Sequence, residues 1–129
     1  HPDSAGCVLA SAGAPDQHFH PDGTAEGLIN VFMPLVNVDT MNGSTELRFG
    51  SHQWIDGELG PMPRFAEHTV QTVAPDLQAG DVLLFDYRTM HRGRANNTTE
   101  PRPISYLVYA MRQGLGDKHN FPEDAWLTR

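Results

Sequence analysis

Twelve glycines and ten prolines are spread along the whole 129-residue chain, and between them no apolar run has the length or the period of an amphipathic helix. What remains between the breakers are short stretches rich in β-branched and aromatic residues. They fall at residues 7–11, 28–38, 46–49, 69–73, 81–85, 89–92 and 104–111, with a further extended piece at 17–20. Pro34 interrupts the longest of them, which predicts an edge position or a bulge there. Residues 56–65, with Gly57, Gly60, Pro61 and Pro63, read as a loop, and the tail from Gln113 offers Phe121, Pro122 and Trp126 as docking points. About seven or eight short strands in so few residues predict an all-β sandwich or barrel. One domain over residues 1–129 suffices, since a chain of this size buries roughly two-thirds of its unfolded surface.

A formal charge of −7 repels a phosphate backbone, so a nucleic-acid partner is not expected. Arg88, Arg92, Arg94 and Arg102 form a local basic cluster, read as a site for a small anion. Cys7 is the single cysteine, which rules out an internal disulfide and fits a reducing compartment; a cytoplasmic location is the expectation. No apolar run approaches the ~20 residues needed to span a bilayer, so no membrane partner is expected. The chain opens on His1 rather than Met, as an excerpt or processed product of a longer chain would.

His20, Pro21 and Asp22 set an imidazole and a carboxylate two residues apart, and in an extended segment alternate side chains share a face. Alone, the pair equally fits a surface histidine beside a turn aspartate. Downstream, a turn at Gly80 and a buried strand lead to His91, which completes two histidines and one carboxylate. Such a set leaves coordination positions open, as iron(II) requires when it takes both a chelating cosubstrate and oxygen, whereas structural zinc wants a closed tetrahedral set. Arg102 opens the following strand, where its guanidinium fork can clamp the carboxylate of an anion chelated to the metal. His18 would share the face of His20 and, with Glu26, suggests a cupin-type site instead. His52, Trp54 and Asn96 read as structural, and His68 and His119 as surface residues. Alternation puts Asn30 with Phe32, and Tyr106 with Val108, on interior faces.

Residues 17–23 (Gln-His-Phe-His-Pro-Asp-Gly), the turn Asn42-Gly43-Ser44, the segment Gly50-Ser51-His52-Gln53-Trp54, and His91 with Asn96 and Arg102 together resemble the phytanoyl-CoA dioxygenase family over roughly residues 8–112. The resemblance implies a double-stranded β-helix fold, lacking here the family's helical N-terminal region. It also implies iron(II) on His20, Asp22 and His91, and 2-oxoglutarate with its distal carboxylate on Arg102. Asn30 is a further candidate cosubstrate contact. Many members carry Ser or Thr two residues after the distal histidine, where this chain has Gly93, and proline where it has Phe49. The activity implied is hydroxylation of a small molecule with molecular oxygen, releasing succinate and carbon dioxide. Some chlorinating relatives have Gly or Ala in the place of Asp22, so the carboxylate here implies hydroxylation. A cupin-like metal-binding protein or isomerase, and a non-catalytic relative that keeps the fold, are the alternatives.

Overall fold

The computed structural model describes residues 2–54 and 71–116. The loop expected at 56–65, the start of the strand expected at 69–73, His68, His119, Phe121, Pro122 and Trp126 lie outside the described residues.

Among the described residues the chain forms seven strands: β1 (Ser4–Ala10), β2 (Leu28–Pro34), β3 (Thr45–Arg48), β4 (Thr72–Val73), β5 (Leu83–Asp86), β6 (His91–Gly93) and β7 (Arg102–Ala110). One short 3-10 turn, Ser51–Trp54, follows β3. All pairings between strands are antiparallel, in a four-stranded sheet of order β1-β7-β2-β5 and a three-stranded sheet of order β4-β3-β6. The strict alternation along β2 puts Leu28, Asn30, Phe32 and Pro34 inward. Phe32, Phe85 and Ile104 of the larger sheet meet Leu47 of the smaller one, which closes a core between the two.

Pro34 is not on an edge strand. β2 lies between β7 and β5, and Pro34 is its last residue, beyond the Phe32–Leu83 pair that ends the contact with β5, so its missing N–H costs no ladder bond on that side. Gly43 turns the chain into β3 at φ 84°, and a Cβ there would strike the carbonyl oxygens of Arg94 and Ala95. No helix among the described residues is long and apolar enough to cross a membrane.

The extended piece expected at 17–20 is not a regular strand. Gln17 N–H bonds to the Gly93 carbonyl, and His20 exchanges two backbone hydrogen bonds with His91. Two residues, His18 and Phe19, therefore stand opposite one, Arg92, which is the count of a β-bulge. The bulge re-aims the side chains. Phe19 lies under the guanidinium groups of Arg48 and Arg92, 3.9 and 4.6 Å from its ring centre, while Gln17 and His20 both line the pocket between the sheets. His18 is exposed and its ring stands 5.6 Å from that of His20, as the spacing suggested, but it is not in the set of side chains whose ligand atoms converge among the described residues.

Candidate metal centre

The His20–His91 backbone bridge sets two imidazoles side by side, their ring centres 4.8 Å apart. Each ring uses Nδ1 locally: His20 Nδ1 meets the carbonyl of His18 and His91 Nδ1 that of Thr89, both at 2.9 Å. A carbonyl only accepts, so Nδ1 carries the proton in each ring and Nε2 keeps a lone pair. Asp22, anchored by its N–H to the Tyr87 carbonyl, brings Oδ1 to 3.7 Å from His91 Nε2. Its other oxygen, Oδ2, accepts 2.6 Å from the amide of Asn30. One ligand atom from each of His20, Asp22 and His91 lies within 4.8 Å of the others, a set that can hold one metal ion. Burial pushes the His91 pKa down, with the charge of His20 adding to it and Asp22 and the Thr89 carbonyl opposing, and the net lowering favours the neutral, ligating ring. Phe32 and Phe85 wall that ring, with centres 6.0 and 4.9 Å away.

Arg102, the first residue of β7, lines the same pocket and is 3% exposed. Its Nε has no hydrogen-bond partner among the described residues, and burial alone pushes its pKa down. A buried guanidinium without a counter-charge is costly unless an anion joins it, so this orphaned donor fits a carboxylate ligand. The other arginines of the sequence cluster are elsewhere and already paired. Arg88 forks onto Asp86, while Arg92 and Arg94 share Glu46 and Asp16. The basic cluster is therefore not one anion site, because strand register distributes these residues among different carboxylates. Glu26 faces solvent near Arg88, away from the triad, which removes the arrangement with His18.

Asn30, fully buried on β2, has its amide on Asp22 and leaves Oδ1 without a partner among the described residues. Asn96 is also fully buried. Its amide donates to the carbonyls of Ala10, Ser11 and Glu100, which ties the end of β1 to the loop before Arg102. Sequence reasoning did not single out Thr45 or, as a pocket residue, Gln17. Thr45 lies opposite Gly93 in the β3–β6 register, and only that pairing reveals it.

Fold and side-chain set together place the chain among the double-stranded β-helix proteins of cupin-like architecture. The model of the phytanoyl-CoA dioxygenase family matches residues 4–104, and the chain belongs to that family. Among curated relatives, the dioxygenase hkm4 of Aspergillus hancockii is 31% identical over 112 residues, covering 75% of this chain and 34% of that protein. The Fe(II)/2-oxoglutarate-dependent dioxygenase nvfF of Aspergillus novofumigatus is 32% identical, covering 74% of this chain and 34% of its own. The chain thus spans about a third of the length of these relatives. Among solved structures, the α-ketoglutarate-dependent epimerase SnoN of nogalamycin biosynthesis superposes with a TM-score of 0.75 at 25% identity, over 95% of this chain and 56% of that one. EctD from S. alaskensis, with 2-oxoglutarate and 5-hydroxyectoine, gives a TM-score of 0.69 at 22% identity, over 85% and 44%, and shares the fold.

Proposed function

We propose that the chain is the core of an iron(II)- and 2-oxoglutarate-dependent oxygenase that hydroxylates a small-molecule substrate, consuming molecular oxygen and releasing succinate and carbon dioxide. The observation that carries this reading is one pocket holding both the His20, Asp22 and His91 ligand atoms and a buried arginine lacking an anion. Relatives named as iron- and 2-oxoglutarate-dependent dioxygenases support it.

In this reading His20 and His91 hold iron(II) through Nε2 and Asp22 holds it through Oδ1. Arg102 takes the distal carboxylate of 2-oxoglutarate. Iron(II) with 2-oxoglutarate supplies the activation of oxygen that attacks an unactivated C–H bond. The chain supplies position and exclusion of water: Phe32 and Phe85 back the His91 ring, and Asn30 acts on the centre through Asp22. With Asp22 present, no protein ligand position is vacated for a halide, which favours oxygen insertion over halogenation.

The test is a screen of small substrates with the iron-loaded chain and 2-oxoglutarate, following oxygen uptake and succinate together. Coupled uptake and succinate release are expected; neither, across a broad panel, would contradict the reading. Similarity to an epimerase supports a second outcome, in which C–H removal is not followed by oxygen insertion. Product mass separates the two, since only hydroxylation adds an oxygen atom.

A further inference from the structure

Phe19 precedes His20 and Arg92 follows His91, and neighbours along an extended backbone point to opposite faces. The two therefore meet behind the histidines, on the outer face of the smaller sheet. The ring centre of Phe19 lies 3.9 Å from the guanidinium carbon of Arg48 and 4.6 Å from that of Arg92. Glu46 stands opposite Arg92 in the β3–β6 register, so Arg48, two residues along β3, is the diagonal neighbour of Arg92. Like charges so placed repel, and the negative face of one aromatic ring attracts both. The two arginines are not equivalent. Arg92 is balanced by Glu46 at 2.7 Å and Asp16 at 3.3 Å. Arg48 is 8% exposed, and its Nε and Nη1 have no hydrogen-bond partner among the described residues. A desolvated guanidinium gains more from a ring face than one in water does, which holds Phe19 where it lies.

The place of that ring bears on His20. The segment is tied to β6 at Gln17 and again at His20, and between these ties His18 and Phe19 make the bulge. The bulge turns the His18 carbonyl to within 2.9 Å of His20 Nδ1, the contact that keeps the Nε2 lone pair for a metal. We propose that the Arg48, Phe19 and Arg92 stack is a clamp that fixes the bulge and thereby aims the His20 imidazole at the metal. Phe19 is a positioning residue acting through the His18 carbonyl, and the inference rests on the metal centre of the proposed function.

The experiment is anaerobic titration of iron(II), with the visible spectrum of cobalt(II) bound in its place and urea unfolding of the metal-free proteins. The proteins are the unaltered chain, Phe19→Leu, Phe19→Tyr and Arg48→Met. Leucine removes the ring face, tyrosine keeps it, and methionine keeps most of the length of Arg48 without its charge. Iron(II) affinity should fall about tenfold in Phe19→Leu, as when a ligand loses an orienting partner. Its cobalt(II) bands should shift even at saturation, because a turned imidazole changes the ligand field. Arg48→Met should follow Phe19→Leu, and Phe19→Tyr should match the unaltered chain in both readouts. Unchanged iron(II) affinity in Phe19→Leu and Arg48→Met would overturn the proposal. Lower affinity with unmoved cobalt(II) bands would overturn it too, since that marks a packing role, as would equal losses in Phe19→Tyr and Phe19→Leu. Should Phe19→Leu fail to fold, the affinity and bands of Arg48→Met decide alone. An unaltered chain that binds neither ion would overturn the proposed function itself, and this inference with it.

Discussion

The side-chain amide of Asn30 lies 2.6 Å from Asp22 Oδ2, and because Asn30 is fully buried this hydrogen bond decides which carboxylate oxygen turns toward the two imidazoles. Outer partners of this kind orient a ligand and tune its basicity, and losing one typically costs about 10–100-fold in metal affinity. Asn30→Leu is accordingly expected to weaken iron(II) binding by at least about tenfold. Anaerobic metal titration checks this, with a thermal melt of the metal-free protein to show that the fold persists. Unchanged affinity in a folded variant would mean that Asp22 needs no orienting partner.

Arg102→Ala is expected to weaken 2-oxoglutarate binding while sparing iron(II). Removing one partner of a buried charge pair costs on the order of 2–5 kcal/mol, so a loss of tenfold or more should appear. Arg102→Lys should recover only part of it, since an ammonium keeps the charge without the planar fork. The ratio of 2-oxoglutarate to pyruvate affinity reports the effect. A ratio unchanged by Arg102→Ala would put the distal carboxylate elsewhere.

The network on the outer side of the smaller sheet sets a pH dependence. Burial pushes the Glu46 carboxyl up, but hydrogen bonds from Arg92 and Thr72 and the charges of Arg92 and Arg94 outweigh it, holding the group below its ordinary 4.5. A folded value below the unfolded one means that Glu46 adds stability above about pH 4.5 and loses it as the pH falls through the folded value. Glu46→Gln should therefore be less stable than the unaltered chain by roughly 1 kcal/mol near neutrality, with the difference shrinking below about pH 4. Urea unfolding at both pH values measures it. A difference independent of pH would mean that the ionised form is not what Arg92 stabilises.

Asn96→Ala should destabilise the fold without touching the metal centre. Three backbone carbonyls, those of Ala10, Ser11 and Glu100, would lose the amide that satisfies them, at a cost of about 2–3 kcal/mol. Urea unfolding should show that loss, and iron(II) affinity of the folded protein should stay as it was. A shifted affinity would mean that Asn96 also shapes the site.

That His20, Asp22 and His91 come together was legible because their signal is local: one short spacing, then a histidine just past a buried strand. That Arg102 stands near them was legible from its place at the head of a strand. What the residue pattern could not show is what lies across from what. Arg92 and Arg94 read as part of a small-anion site because Glu46 and Asp16 become their neighbours only through strand register. Thr45 stayed hidden for the same reason, being opposite Gly93 only once β3 pairs with β6. His18 does come beside His20, as alternation expects, but it does not join the set formed with Asp22 and His91, which spacing along one segment could not show. Pro34 was expected at an edge or a bulge because proline removes a donor, yet a strand end satisfies the same requirement.

The most direct test of the metal centre is anaerobic titration of iron(II) into the unaltered chain and into His91→Ala. The unaltered chain should bind one iron(II), since both Nε2 lone pairs and Asp22 Oδ1 converge on a single position. His91→Ala should lose most of that binding. An affinity left unchanged by the substitution would show that His91 is not a ligand, and the triad would have to be abandoned.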